Sequence, residues 1–299
     1  MRDFVHLHIH SEFSLLDGAN RIKELPVRAK ELGMDAMAIT DHGVMFGAID
    51  FYKACKANGI KPIIGCEVYV APRTRHDKDE LDSKYNHLIL LAKNNDGYKN
   101  LSKLVSLSFT EGFYYKPRID KEILEQYHEN LICCSACLAG EINQAILKND
   151  MDEARRVASW FKGVFGKDYY LEIQNNGVKE QVLVNQKLVQ LSRELDIPLV
   201  ATNDAHYLKR EDSYNHEVLL CIQTGKRMTD EDRMRFETDE LYVKSPEEMK
   251  EYFANVPDAI ENTVKIADEC NVEFEFGHTI LPNYDVPDAF ATHFDYLKH

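Results

Sequence analysis

No stretch of about 18 uninterrupted apolar residues occurs in the 299-residue chain, which argues against a transmembrane helix. The opening MRDFVHLHIH has no charged-then-apolar signal pattern, so a cytoplasmic location is expected, with no membrane partner. Clustered positive charge is also scarce. Thirty-six Lys and Arg face fifty Asp and Glu, a formal net charge of −14. That balance speaks against tight nucleic-acid binding by basic side chains alone. It does not exclude a nuclease centre, because bound divalent ions reverse the local field. There is no Gly-rich phosphate loop after the first apolar run, which weakens a nucleotide-binding reading. The seven Cys are scattered and odd in number, and Cys134 and Cys137 form a CxxC with no second CxxC to complete a structural zinc site. Internal repeats and low-complexity tracts are missing as well.

What is present is an alternation of short apolar runs and helical patterns. Strands are expected at Phe4–Ile9, Ala36–Thr40, Pro62–Val70, His87–Ala92, Leu131–Ser135, Tyr169–Ile173 and Pro198–Thr202. Helices are expected at Ile22–Leu32, Gly47–Ala57, Tyr98–Ser108, Ile142–Lys148, Met151–Phe165 and Glu180–Leu195, with Asp150 capping the Met151 helix. About seven β-then-α units imply an α/β fold with a closed or nearly closed TIM-like barrel; an open doubly wound sheet is the alternative. After Leu208 the pattern turns to charged helical stretches such as REDSYNHEVLLCIQTG. One of them, SPEEMKEYF, carries a capping box of Ser245 and Glu248 around Pro246, and another helix follows Pro257. From His278 the chain reads as a linker. The expected division is a barrel with C-terminal helices over 1–277 and a linker over 278–299.

The chemistry-bearing residues sit at the ends of these runs. His6, His8 and His10 alternate on the first strand, so their side chains are expected to share a face. Isolated histidines are usually core or solvated residues, but three in five positions favour metal ligation. Asp17 follows in a loop as a candidate carboxylate ligand. AMAIT runs into Asp41 and His42, at the strand end where barrel active sites lie. Asp41 is as readily a turn residue as a site residue, whereas His42 favours ligation. Glu67 interrupts a β-branched run, where a buried carboxylate demands a cation. His87 opens its strand and on spacing alone reads as structural. Cys137 can serve as a single thiolate ligand, while Cys55, Cys66, Cys133, Cys221 and Cys270 read as buried free thiols. Asp204 and His206 follow an apolar run at i and i+2, mirroring the first strand. So many nitrogen, oxygen and sulfur donors exceed one four-coordinate ion, and two or three clustered metals are the economical reading.

These residues, in the order HLHIH, TDH, Glu67, His87, SAC and NDAH, resemble the polymerase and histidinol phosphatase (PHP) family. FVHLHIHSEFSLLDG, MAITDHGVMFGAIDFYKACKANGIKPIIGCEVYV, EGFYYKPRID and ATNDAHYL are most similar to the PHP domains that open bacterial replicative DNA polymerase III alpha subunits. The similarity runs from Phe4 to about Pro282. It implies a distorted (β/α)7 barrel with a trinuclear centre held by His8, His10, Asp17, His42, Glu67, His87, Cys137, Asp204 and His206. His6 would support the ligands without joining them. The implied activity is metal-dependent phosphodiester hydrolysis, a 3′–5′ proofreading exonuclease in which metals activate water, with no general acid assigned. Zinc, manganese or iron would suit the mixed donor set. Implied partners are a DNA 3′ end, a polymerase body in the same parent chain and other replisome subunits; the polymerase palm carboxylates would lie beyond residue 299. Tyr114, Tyr115, Lys116 and Arg118 combine rings and charge suited to single-stranded DNA, or form an ordinary surface loop. Two further readings are a small-molecule phosphomonoesterase and a metal-stabilised interaction module without turnover.

Overall fold

The computed structural model describes residues 3–279, 281 and 284–299; Pro282, near which the family resemblance ends, lies outside them. Seven strands form one curled sheet: β1 (Ala36–Ile39), β2 (Lys61–Val70), β3 (Asn86–Ala92), β4 (Arg118–Ile119), β5 (Leu131–Cys134), β6 (Tyr169–Gln174) and β7 (Leu199–Thr202). The order is β1-β2-β3-β5-β6-β7, with the short β4 paired to the end of β2. Eleven α-helices are found among the described residues. They are α1 (Leu25–Glu31), α2 (Ala48–Asn58), α3 (Asn95–Thr110), α4 (Lys121–Gln126), α5 (Glu141–Leu147), α6 (Met151–Phe165), α7 (Lys179–Leu195), α8 (Ser213–Thr224), α9 (Pro246–Tyr252), α10 (Pro257–Glu269) and α11 (His293–Lys298).

Local chemistry sets these boundaries. The Asp150 carboxylate accepts from the Glu153 amide to start α6, and Ala154, Val157, Ala158, Phe161 and Phe165 then form one buried stripe. Ser245 and Glu248 form the expected reciprocal capping box, with Pro246 in the first turn. Two apolar layers result. A large cluster lies between sheet and helices and includes Met37, Ile39, Ile64, Cys66, Phe51, Leu104, Phe161 and Leu188. A smaller one fills the inside of the curl with Ala36, Ala38, Ile63, Ile89, Ile132 and Val200, and α10 adds Ile266, Ala267 and Cys270 to it. The expected thiols Cys55, Cys66, Cys133, Cys221 and Cys270 are indeed buried and unbridged.

The first apolar run departs from expectation. Phe4–Ile9 is not a regular strand but an extended segment with isolated bridges, His6 to Met37 and Ile9 to Ala205. Its backbone spans the gap between β1 and the chain after β7: the Ala38 amide donates to His6 O, and the Ala205 amide to His8 O. It therefore takes a stave's place in the cylinder. The strand alternation slips within it. Leu7 packs with the inner cluster while Ile9, two residues on, packs with the outer one. In a regular strand positions 7 and 9 share a face. His6 is thus separated from His8 and His10, and its Nε2 bonds the Lys244 carbonyl at 2.9 Å.

The sheet is also not uniformly parallel. β3 runs antiparallel to both β2 and β5, whereas β1–β2, β5–β6 and β6–β7 are parallel. The start of β3 accordingly lies at the same end as the finishes of its neighbours.

Candidate metal centre

That reversal explains His87. As the second residue of an antiparallel strand, it meets Glu67 from β2, with Nδ1 2.9 Å from Oε1. All nine residues expected as ligands converge at this end of the curl, in three overlapping groups. In the first, His8 Nε2, His10 Nε2 and Asp204 Oδ1 form a nearly equilateral triangle with edges of 3.1, 3.1 and 3.2 Å. Glu67 adds Oε1 at 3.4 Å from His8 and Oε2 at 3.6 Å from His10. Donors around a tetrahedral ion with bonds near 2.0 Å stand roughly 3.3 Å apart. In the second, Cys137 Sγ lies 3.6 Å from His87 Nδ1 and 3.8 Å from Glu67 Oε1, longer edges that suit the longer metal–sulfur bond. In the third, Asp17 Oδ2 is 3.0 Å from His42 Nε2, and Asp17 Oδ1 is 3.8 Å from His206 Nε2. Glu67 joins the groups, since its other neighbour is His42 Nδ1 at 2.6 Å.

Three of the histidines are held in one tautomer. His8 Nδ1 donates to Glu172 Oε1 at 2.6 Å. His206 Nδ1 donates to its own loop's Asp204 carbonyl at 2.9 Å. His10 Nδ1 contacts Ser14 Oγ at 3.1 Å, and the Ser14 hydroxyl donates to Asp41, a carboxylate that can only accept. Each ring therefore turns an Nε2 lone pair toward the cluster, the arrangement by which supporting groups orient metal-bound imidazoles. Asp41 is explained by this: its oxygens take the Ser11 amide, the Ser11 hydroxyl and the Ser14 hydroxyl, so it braces the loop and does not join the cluster. Gly18 lets that loop close, because a Cβ there would lie 2.1 Å from the Ser11 carbonyl oxygen. Asp204 adopts a left-handed backbone, φ 53°, sparsely populated for non-glycine residues and frequent at functional sites.

The donors fit metal ions on the structure's own terms. His42 Nδ1, Glu67 Oε2 and Asp204 Oδ1 are buried, and their close neighbours are other ligand atoms of the cluster, met without regular hydrogen-bond geometry. Burying such groups with poor pairing costs about 1–3 kcal/mol each, more when charged. The electrostatics agree. Burial opposes charge on every group here, yet Asp204, Glu172 and Glu67 push His8 upward, and Glu67 and Asp17 raise His42 to about 10. Burial, reinforced by His42 and His206, drives His10 down to about 3. Despite burial, the surrounding imidazoles hold Asp17, Glu67 and Asp204 below the ordinary carboxylate range. Burial first, then Glu67 and Asp204, lifts the Cys137 thiol. Three carboxylates crowded among these imidazoles thus leave a negative charge that divalent ions would compensate.

A cavity of about 500 Å³ opens onto the cluster, lined in part by Tyr69, Tyr85, Lys116, Gln174, Asn176 and Phe236. Of the residues expected to touch substrate, Lys116 stands at this opening with its ammonium over the Tyr69 ring. Tyr115 is exposed and Tyr114 half-buried beside it. Arg118 is elsewhere: its side chain is fully buried and donates to the carbonyls of Gly112, Asp82, Arg75 and Asp77. It therefore pins loops and presents nothing to a ligand.

Residues 6–176 match the family model described as the PHP domain. The chain belongs to the PHP family. Asp204 and His206 fall outside the matched span, but longer relatives extend across them. The chain is 52% identical over 299 residues to DNA polymerase III subunit alpha of Borreliella burgdorferi and 48% identical over 299 residues to that of Treponema pallidum. Each alignment covers 99% of this chain and 26% of the relative, so the chain spans about a quarter of the length of these curated relatives. Among solved structures, a two-domain protein from Bacteroides vulgatus containing a predicted PHP-like metal-dependent phosphoesterase aligns with TM-score 0.44 at 13% identity, over 89% of this chain and 69% of that one.

Two members of this PHP site escaped the sequence reading. Glu172, fully buried on β6, holds His8 and also accepts from Thr202 Oγ1 and Gln174 Nε2. The signal was available, since a carboxylate inside YYLEIQ invites the argument applied to Glu67. His216, on α8, reaches the third group; its trace in the sequence is its i, i+4 spacing to the buried Leu220.

Proposed function

We propose that this domain hydrolyses phosphodiesters with two or three divalent ions, trimming DNA from the 3′ end as a proofreading exonuclease within a polymerase III alpha chain. The observation that carries the reading is the set of donor triangles joined at Glu67, with buried ligand atoms crowded against one another. His8, His10, Glu67 and Asp204 would hold one ion, Glu67, His87 and Cys137 a second, and Asp17, His42 and His206 a third. Such ions supply Lewis-acid polarisation of phosphoryl oxygens and lower the pKa of water. The chain's own residues do the rest. Glu172 and Ser14 keep imidazole lone pairs aimed inward. Lys116 offers a cation to a phosphate at the cavity mouth, and Tyr69 and Tyr85 wall that mouth with rings. The choice of DNA rests on the alpha-subunit relatives. The polymerase body in the same parent chain, the other replisome subunits and the role of residues 278–299 as a linker are part of the same proposal.

The test is degradation of a 3′-labelled DNA strand by the purified chain with zinc, manganese or magnesium, beside a phosphomonoester panel. Stepwise loss from the 3′ end, abolished in His8→Ala and Asp204→Asn, is expected. Turnover of phosphomonoesters alone would instead make this a small-molecule phosphatase. Metal uptake without any hydrolysis would make it an interaction module.

A further inference from the structure

We propose that His216 of α8 is a metal-holding residue, completing with Asp17 and His206 the outermost cation position and thereby fastening α8 to the barrel. The inference rests on the metal-centre reading above and adds to the donors assigned there.

His216 is 2% exposed, so its imidazole is withdrawn from water. Its Nε2 lies 3.4 Å from Asp17 Oδ1, long for a hydrogen bond but close to the edge that a four-coordinate ion imposes. His206 Nε2 approaches the same oxygen, and donor atoms of all three residues lie within 4.8 Å of one another. Asp17 turns its second oxygen to His42, so the carboxylate faces imidazoles on both sides. Phe236 covers the group, its ring 5.6 Å from that of His216 and 5.8 Å from that of His206. A shielded carboxylate with two imidazoles is a donor set suited to a zinc-like ion.

Its location gives the residue a consequence. The buried residues of α8 are His216, Leu220 and Cys221. Cys221 faces Met228 and Glu217 pairs with Arg233, both within the stretch that follows the helix. His216 is the side chain that takes α8 to Asp17, across 199 residues of sequence. A cation at this position would therefore tie a helix outside the sheet to the loop after the first stave, and its loss would free the helix.

The experiment is equilibrium dialysis of the 299-residue chain against zinc, followed by elemental analysis, together with hydrogen exchange of the α8 amides with and without metal. The native chain is expected to bind its last ion and to slow exchange across 213–224. His216→Gln, which can still donate to Asp17 but is a poor zinc ligand, should weaken that last ion by about 100-fold or more and abolish the slowing. His216→Cys, which restores a donor, should keep the ion. If His216→Gln binds as many ions as the native chain with unchanged affinity, His216 is only a brace for Asp17 and the inference is overturned while the metal centre stands. If the native chain takes up no zinc, the metal-centre reading itself falls.

Discussion

The Nδ1 of His8 donates to Glu172 Oε1 at 2.6 Å, which leaves His8 Nε2 facing His10, Asp204 and Glu67. This bond couples a side chain never visible to solvent to the geometry of the first donor triangle. Supporting partners of this kind are worth about 10–100-fold in metal affinity. Glu172→Ala should therefore weaken zinc or manganese binding by that factor. Glu172→Gln, which can still accept one hydrogen bond, should cost less. Isothermal titration on the two variants checks the order.

Glu67 and Asp17 should differ in kind. Glu67 touches His8, His10, His42, His87 and Cys137, whereas Asp17 touches His42, His206 and His216. Glu67→Gln is expected to remove more than one ion per chain and Asp17→Asn only one. Elemental analysis after dialysis reads the difference.

Metal should also stabilise the fold. A ligand held at 100 times its Kd contributes about 2.7 kcal/mol per site, and each kcal/mol is worth roughly 2–4 °C in Tm for domains near this size. Chelation is thus expected to lower Tm by several degrees or more. Calorimetric scans with and without chelator measure it, and the loss should shrink in Glu67→Gln.

How far the sequence exposed this site depends on backbone direction. His42, Asp204 and His206 were legible because parallel strands deliver their C-terminal ends to one rim. His87 was not, because nothing in HLILLAK announces that its strand runs the other way; only the family resemblance placed it. The histidine triplet misled for a related reason. Period-two reasoning assumes a regular strand, and the slip between Leu7 and Ile9 sends His6 to the Lys244 carbonyl. Arg118 shows the converse error: a basic residue beside two tyrosines suggested a surface, but its guanidinium satisfies four carbonyls.

Lys116 and Arg118 therefore separate function from stability. Lys116→Ala should raise KM in the proposed 3′-end trimming while leaving Tm within about a degree, in keeping with a surface substitution. Arg118→Ala strands buried carbonyls and should cost about 3 kcal/mol or more. Kinetics and urea unfolding on the pair provide the check.

His6 predicts an acid limit. Burial holds it down to about 4, from an ordinary value of 6.5, although the Lys244 carbonyl works the other way. The unfolded chain takes up this proton as pH falls through about 6.5, and the folded chain only near 4. The stability contributed is complete above 6.5 and is lost as pH falls across that window, by roughly 3 kcal/mol in total. In chelator, His6→Gln should show a shallower fall in unfolding free energy between pH 7 and 4 than the native chain. Parallel curves would show that His6 carries no such linkage.

Anomalous diffraction from crystals soaked in zinc or manganese tests the multinuclear centre itself. Separate peaks are expected on either side of Glu67, one among His8, His10 and Asp204 and one against His87 and Cys137, with a further peak at Asp17. An empty cluster at full soak, with these side chains still bonded to one another as described, would contradict it.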